Sequence, residues 1–330
     1  MTPYQEQCKI MESLSSSIFL RFTITFQLAS SLLALTMVIV ASYSLWTAQV
    51  ARLFHVNVII IFQVHWFGFF LHCSNRIVLH TIDLHNYLIL DYCDMPASTT
   101  RCFVLRVQYV FGLCLVGATT IPLVIERYIA TIKSSKYEQT GCALGIYMAI
   151  KQFSIATMTT YYAFLIFPFK EPFMPYCTAI KQGFVTNVEV IFHIILLAQI
   201  VGRVIFQYLF NLNERLRAKQ ITCSLSNRYS LEQNLKSMRT LKLFANLQTG
   251  FQVIHIMFFL FLLKFGAELE SSTYLALLEW SGSYPLYAII SIVALLKKAQ
   301  VNKVRLKKEL EVHMSADQNN YFENFNKSWN

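Results

Sequence analysis

The side chains that could do chemistry in this sequence are few, and most sit in apolar surroundings. Glu126 and Arg127 close the long apolar run Cys102–Tyr128 as an adjacent carboxylate and guanidinium. At a helix end such a pair is bistable, able to hold itself or to turn to another partner. Arg106 falls inside the same run, and Glu189, His193 and Glu279, the last with Trp280 beside it, fall inside other apolar runs. Ionisable groups there are costly in a membrane and tend to face cavities. These four predict a polar ring around a cavity, fixing a ligand's polar group while aromatic side chains supply apolar contact. Lys151, nearer the middle of its run, is a further candidate. Snorkelling or pairing between helices is the plainer alternative for each residue taken singly.

Catalysis finds little support. His65, His72, His80 and His85, with Asp83, Asp91 and Asp94 nearby, invite a zinc reading. No H-E-x-x-H spacing occurs, and His80 and His85 are five residues apart, so they diverge on a helix. No metal, no cofactor and no enzymatic activity are expected. A Gly-rich phosphate loop and nucleic-acid motifs are also missing from the sequence, so no nucleic-acid partner is expected.

The elements that must position these residues are membrane helices. The 330-residue chain is 55% hydrophobic and only 14% charged, and its mean hydropathy is +0.45. A soluble domain carries about 25% charged residues. Seven apolar runs each approach the ~20 residues of a spanning helix: Phe22–Trp46, Val56–Leu79, Cys102–Arg127, Gly141–Phe167, Val185–Phe210, Leu241–Leu263 and Ser272–Leu296. The expected fold is an all-α, seven-transmembrane helix bundle. Residues 1–21 form an extracellular amino terminus, 22–296 the membrane domain, and 297–330 a cytoplasmic tail.

Basic residues set the orientation. With the amino terminus outside, inner segments hold 18 Lys and Arg and outer segments 6, the bias of a chain with its tail in the cytosol. Residues 1–21 lack a basic start followed by a short apolar core, so the first helix is expected to act as the insertion signal. Charge spacing extends the fifth and sixth helices into the third inner loop, joined near Cys223-Ser224. The run after Leu296 reads as a basic amphipathic helix drawn to membrane lipids. Gly141-x-x-x-Gly145 suits close helix packing. Four of the eight cysteines, Cys8, Cys93, Cys102 and Cys177, fall outside, which allows two disulfides in three connectivities.

Several stretches carry a family resemblance. Cysteine at one face and Glu126-Arg127-Tyr128 at the other resemble the third helix of rhodopsin-like receptors. LSNRYSLEQN (Leu225–Asn234), ERYIAT (Glu126–Thr131), Cys93 in DYCDMP and FHVN (Phe54–Asn57) resemble the nematode serpentine chemoreceptors of class alpha, a class that shares most of these landmarks with class alpha/beta. Departures include Ser230 and Gln233 in the loop signature and Tyr284-Pro285-Leu286-Tyr287 in the last helix.

The resemblance implies a G protein-coupled chemosensory receptor for a small-molecule odorant, multi-pass in the plasma membrane of a sensory neuron, at its cilium. A seven-helix ligand-gated channel or transporter is the alternative. Glu126, Arg127, Tyr128, Arg228, Tyr229 and Asn234 would form the switch that couples to a heterotrimeric G protein. A Cys102–Cys177 bridge is implied, leaving Cys8–Cys93 as the pair that remains. Neither the ligand nor the oligomeric state follows from any of these residues.

Overall fold

The computed structural model describes residues 3–47, 54–133, 137, 141–165, 172–178, 186–219, 225–298 and 301, with side chains described except at 3–6, 186–188, 219 and 225–230. The protein is mostly helical. In chain order the helices are α1 (Pro3–Ser16), α2 (Ile18–Thr47), α3 (Val56–Ile89), α4 (Thr99–Ala118), α5 (Thr120–Ile132), α6 (Ala143–Phe164), α7 (Thr186–Lys219), α8 (Leu225–Phe265) and α9 (Ser271–Ser281). A further helix, α10, covers residues 284–298. Among the described residues five helical spans are long and apolar enough to cross a membrane: α2, α3, the continuous run of α4 and α5, α7 and α8. The junction at Cys223-Ser224 and the tail beyond residue 301, with its expected amphipathic helix, lie outside the described residues.

Three boundaries differ from the hydropathy reading, each for a local reason. The third apolar run is not one smooth helix, because Pro122 has no N–H to donate to the Ala118 carbonyl; the run turns at Thr119 between α4 and α5. The last run is divided at Gly282 and Ser283, with Pro285 in the first turn of α10. The second run does not stop at Leu79 but continues as helix to Ile89. Hydropathy ends it early because its buried face is polar: His72, Arg76, His80 and Asp83, at helical spacing, point into the bundle.

α3 is the central element, packed on α2, α4 and α6. It meets α4 where two glycines face each other. A Cβ on Gly112 would lie 2.5 Å from the Gly68 carbonyl oxygen and 2.8 Å from the His72 nitrogen. Gly145 on α6 has the same role against Asn57, whose Cα would be 2.7 Å from an added Cβ, whereas Gly141 faces open space. A large apolar core fills the bundle with Phe62, Phe69, Phe206, Phe244 and Tyr284. Bulky apolar side chains such as Ile39, Tyr43, Ile150 and Val204 remain exposed on its outside, as a lipid-facing surface requires.

One end of the bundle is capped. Cys8–Cys93 ties α1 to the segment after α3, and Cys102–Cys177 ties the start of α4 to the loop before α7. Ala97–Ser98 and Phe173–Met174 pair as two short antiparallel strands beside the second bridge. Met11 and Leu14 of α1 are buried with Ile24, Tyr274 and Leu275, and Ser13 Oγ donates to Glu270 Oε1 at 3.0 Å.

Gly112→Ala is expected to push α3 and α4 apart and cost about 1–3 kcal/mol, read as a lower unfolding temperature of the detergent-solubilised protein. Gly141→Ala should leave that temperature unchanged. Equal effects of the two substitutions would rule out close packing at Gly112 as the cause.

Candidate functional site

Two buried polar centres lie at opposite ends of the bundle. At the disulfide end, Glu279 of α9 takes both Arg76 of α3 and Arg106 of α4. Arg76 donates from one terminal nitrogen to Glu279 Oε2 at 2.8 Å and to the Glu279 carbonyl at 2.9 Å. Arg106 donates to Glu279 Oε1 at 2.5 Å. The same oxygen accepts from the Tyr176 hydroxyl at 3.0 Å. Remaining guanidinium donors reach the Gly282 carbonyl from Arg76 and the Cys177 carbonyl from Arg106. Arg76 Nε donates to His80 Nε2 at 3.1 Å, which leaves the His80 proton on Nδ1, 3.8 Å from Asp83 Oδ2. Both guanidinium groups also lie over the Tyr109 ring, 5.5 and 5.0 Å from its centroid.

The Cys102–Cys177 bridge sits one turn from Arg106, so it fixes the loop that supplies both the Cys177 carbonyl and Tyr176. Burial, and then the Glu279 charge, push the Tyr176 phenol well above its ordinary value; the hydroxyl stays protonated and donates. Both carboxylate oxygens of Glu279 are therefore engaged by protein groups. The centre is a closed clasp joining three helices and a loop.

The polar ring expected from the sequence does not form as such. Arg106 and Glu279 meet, but in this clasp and together with Arg76. α7 faces the bundle through Phe192, Gln199, Phe206 and Asn213, a spacing of seven that turns His193 outward. There its Nδ1 lies 2.7 Å from the Glu189 carbonyl. Trp280 is 39% exposed and stacks on Phe26 at 5.2 Å. Lys151 is exposed, because α6 packs through Gly145, Met148, Gln152 and Ala156, and its Nζ lies 5.4 Å from the Tyr147 ring.

At the opposite end, Arg127 is 2% exposed and forks onto Glu126, with both nitrogen-to-oxygen distances 2.5 Å. Its other terminal nitrogen donates to Asn234 Oδ1 at 2.9 Å and Ser237 Oγ at 3.2 Å, both on α8. Asn234 passes the connection to Asn213 of α7 at 2.9 Å, and Asn213 donates to Thr131 at 2.8 Å. The Tyr137 hydroxyl donates to Glu126 and accepts from Asn57 Nδ2 at 3.1 Å. Burial and the Glu126 charge push the Tyr137 phenol above its ordinary range, so it too remains a donor. Tyr128 is 51% exposed and takes no part. The side chains of Arg228 and Tyr229 lie outside the described residues.

Between the two centres three glutamines converge on the turn in the third apolar run. Gln152 donates to the Leu115 carbonyl at 3.0 Å, Gln248 to Val116 at 2.9 Å and Gln199 to Gly117 at 2.8 Å. Beside them lies a largely apolar cavity of about 90 Å³, lined among others by Leu113, Gly117, Phe192, Gln199, Gln252 and Tyr284. Sequence reasoning left out Arg76, Tyr137 and this glutamine layer. For Arg76 a signal exists: it stands four residues from both His72 and His80, on one helical face. Nothing local links Tyr137 to Glu126.

Comparison with known proteins adds a family. The family model described as "Serpentine type 7TM GPCR receptor class ab chemoreceptor" matches residues 5–330. Two curated relatives are from Caenorhabditis elegans. Serpentine receptor class alpha-39 is 27% identical over 149 residues, 44% of this chain and 39% of that protein. Serpentine receptor class alpha/beta-14 is 28% identical over 155 residues, 45% of this chain and 39% of that protein. The matched stretch thus spans well under half of each relative's length.

Removing one partner of a buried ion pair costs about 3–5 kcal/mol, and Glu279 serves two arginines. Glu279→Gln is therefore expected to lower the unfolding temperature and surface expression more than Arg106→Gln, which leaves Glu279 paired with Arg76. A reversed order in thermal unfolding would show that the clasp does not depend on that carboxylate.

Proposed function

The chain belongs to the serpentine class ab chemoreceptor family of multi-pass membrane proteins, and on that premise we propose that it is a G protein-coupled receptor for a small-molecule odorant. We place it as a seven-helix protein in the plasma membrane, at a sensory cilium. The disulfide end faces outside, and the Arg127 end and tail face the cytosol. Residues 1–21, 22–296 and 297–330 serve as outer segment, membrane domain and lipid-associated tail. Two disulfides at one end and the excess of Lys and Arg at the other support that orientation.

The observation that carries this reading is the Arg127 centre. It links α5, α7 and α8 through buried polar contacts beside the apolar core they share, in a membrane protein where apolar packing gives little preference between neighbouring arrangements. Glu126, Tyr137 and Asn234 keep Arg127 occupied in the resting arrangement. Ligand binding that favours another arrangement releases α8 from Arg127 and opens a cleft for the G protein. Arg127 then has two partner sets, one within the chain and one in the complex. Tyr128, exposed beside the centre, and the neighbouring Arg228 and Tyr229 belong to the docking face.

Arg127→Ala is expected to abolish odorant-evoked G protein activation at matched surface expression. Glu126→Gln, which weakens the resting contact, should raise basal activation several-fold. An odorant-evoked current that persists without any G protein would put the channel reading first. An epitope at the amino terminus should be stained on intact cells; staining only after permeabilisation would reverse the orientation.

A further inference from the structure

Both carboxylate oxygens of Glu279 are engaged and the residue is buried, so the clasp has no open face for a ligand, whose position is sought elsewhere. The cavity of about 90 Å³ runs from Val110, one turn past Arg106, to Ile121, just beyond the turn at Thr119. It therefore lies between the clasp and the Arg127 centre. Its lining residues on α6 and α7, among them Thr159, Phe192 and Ile195, are only half-buried, so it opens sideways between these helices.

Its polar groups are nearly all used. Gln199 donates to the Gly117 carbonyl and accepts from Thr120 at 2.6 Å. Thr159 Oγ1 donates to the Ile155 carbonyl at 2.8 Å. The Tyr284 hydroxyl donates to Gln252 Oε1 at 3.1 Å. Gln252 is 2% exposed, and its Nε2 has no hydrogen-bond partner among the described residues. A Cβ added at Gly117, across the cavity wall, would stand 3.5 Å from that nitrogen. One buried donor in the wall of this largely apolar space is thus without a partner among the described residues.

We propose that this cavity is the ligand site and that it takes a small, uncharged, lipophilic molecule with a single hydrogen-bond acceptor, such as a short ketone or ester. Its oxygen accepts from Gln252 Nε2, its alkyl part lies against Leu113 and Phe192, and it enters from the bilayer between α6 and α7. The inference rests on the receptor reading above and names the ligand class for it. A 150 Å³ cavity accommodates benzene, so this smaller one takes a molecule smaller than benzene. Its wall includes Gln199 of the glutamine layer and Gly117, whose carbonyl Gln199 binds.

The test needs no signalling readout. Unfolding temperatures of the full chain in lipid nanodiscs are measured against increasing 2-butanone, and against n-pentane, which has the same number of heavy atoms and no acceptor. A ligand selective for the folded state raises the transition in proportion to its occupancy. 2-Butanone should raise it further than n-pentane does. Gln252→Leu should weaken the 2-butanone response about tenfold, the worth of one buried hydrogen bond. Gly117→Ala should do the same by covering Nε2 with a methyl group, in a helix that tolerates alanine. Equal responses to the two probes, no response to either, or an unchanged response in Gly117→Ala would overturn the proposal. Binding that passes these tests without any G protein activation would leave the site standing and sink the receptor reading. Activation by charged odorants that survives Gly117→Ala would do the reverse.

Discussion

A guanidinium buried in a membrane bundle must have its charge and its donors met by protein groups, and here one carboxylate serves two of them. Glu279 is the point at which α3, α4 and α9 become a single body. Arg76 brings α3, Arg106 brings α4, and Tyr176 and Cys177 bring the loop tied by the second disulfide. Buried ion pairs contribute little net stability compared with apolar packing, but they tolerate few alternative arrangements. That matters in lipid, where one apolar helix face substitutes easily for another. The clasp sets how far α9 can rotate or slide against α3, and with it the position of Trp280 on Phe26 and of α10 beyond Gly282.

The rest of the molecule can be read down the third apolar run. Arg106 and Arg127 are separated by 21 residues, roughly 30 Å of helix, about the thickness of the hydrocarbon core. One belongs to a centre fully engaged by fixed partners. The other belongs to a centre whose partners, Asn234 and Ser237, sit on a separate helix with neutral side chains. Midway, three amides from α6, α7 and α8 bind the Leu115, Val116 and Gly117 carbonyls, just before the turn at Thr119. A rotation of α5 against α4 must exchange these contacts together. Stiffness is thus concentrated at one end and rearrangeable polar contacts at the other.

Much of the architecture was legible in the sequence. Five of the apolar runs coincide with membrane-length helices, and the helical extensions to Lys219 and from Leu225 follow the charge spacing. Glu126 and Arg127, adjacent in the sequence, do pair, and Arg127 also reaches Asn234 of α8. What the sequence hid was direction. His193 and Lys151 share the chemistry of a site but point outward, because helix rotation is set by residues on the opposite face, Gln199 and Gln152 among them. Arg76 was invisible for the converse reason: a charge in an apolar run signals cost but not which helix will neutralise it. The end of α3 was misread because a polar face buried by partners looks, to hydropathy, like a loop.

Among the described residues, the two apolar stretches that fall short of a free-standing membrane span are α6, with Lys151 and Gln152, and the last run, divided at Gly282 and carrying Glu279. Each depends on groups that precede it in the chain. Gln152 finds the Leu115 carbonyl and Thr119; Glu279 finds Arg76 and Arg106. During synthesis at the translocon, both marginal segments therefore emerge after their partners are already in the bilayer. Their insertion can draw on tertiary contacts that an isolated segment would lack. The order of the sequence doubles as an order of assembly, in which each marginal segment follows the helices whose groups it needs.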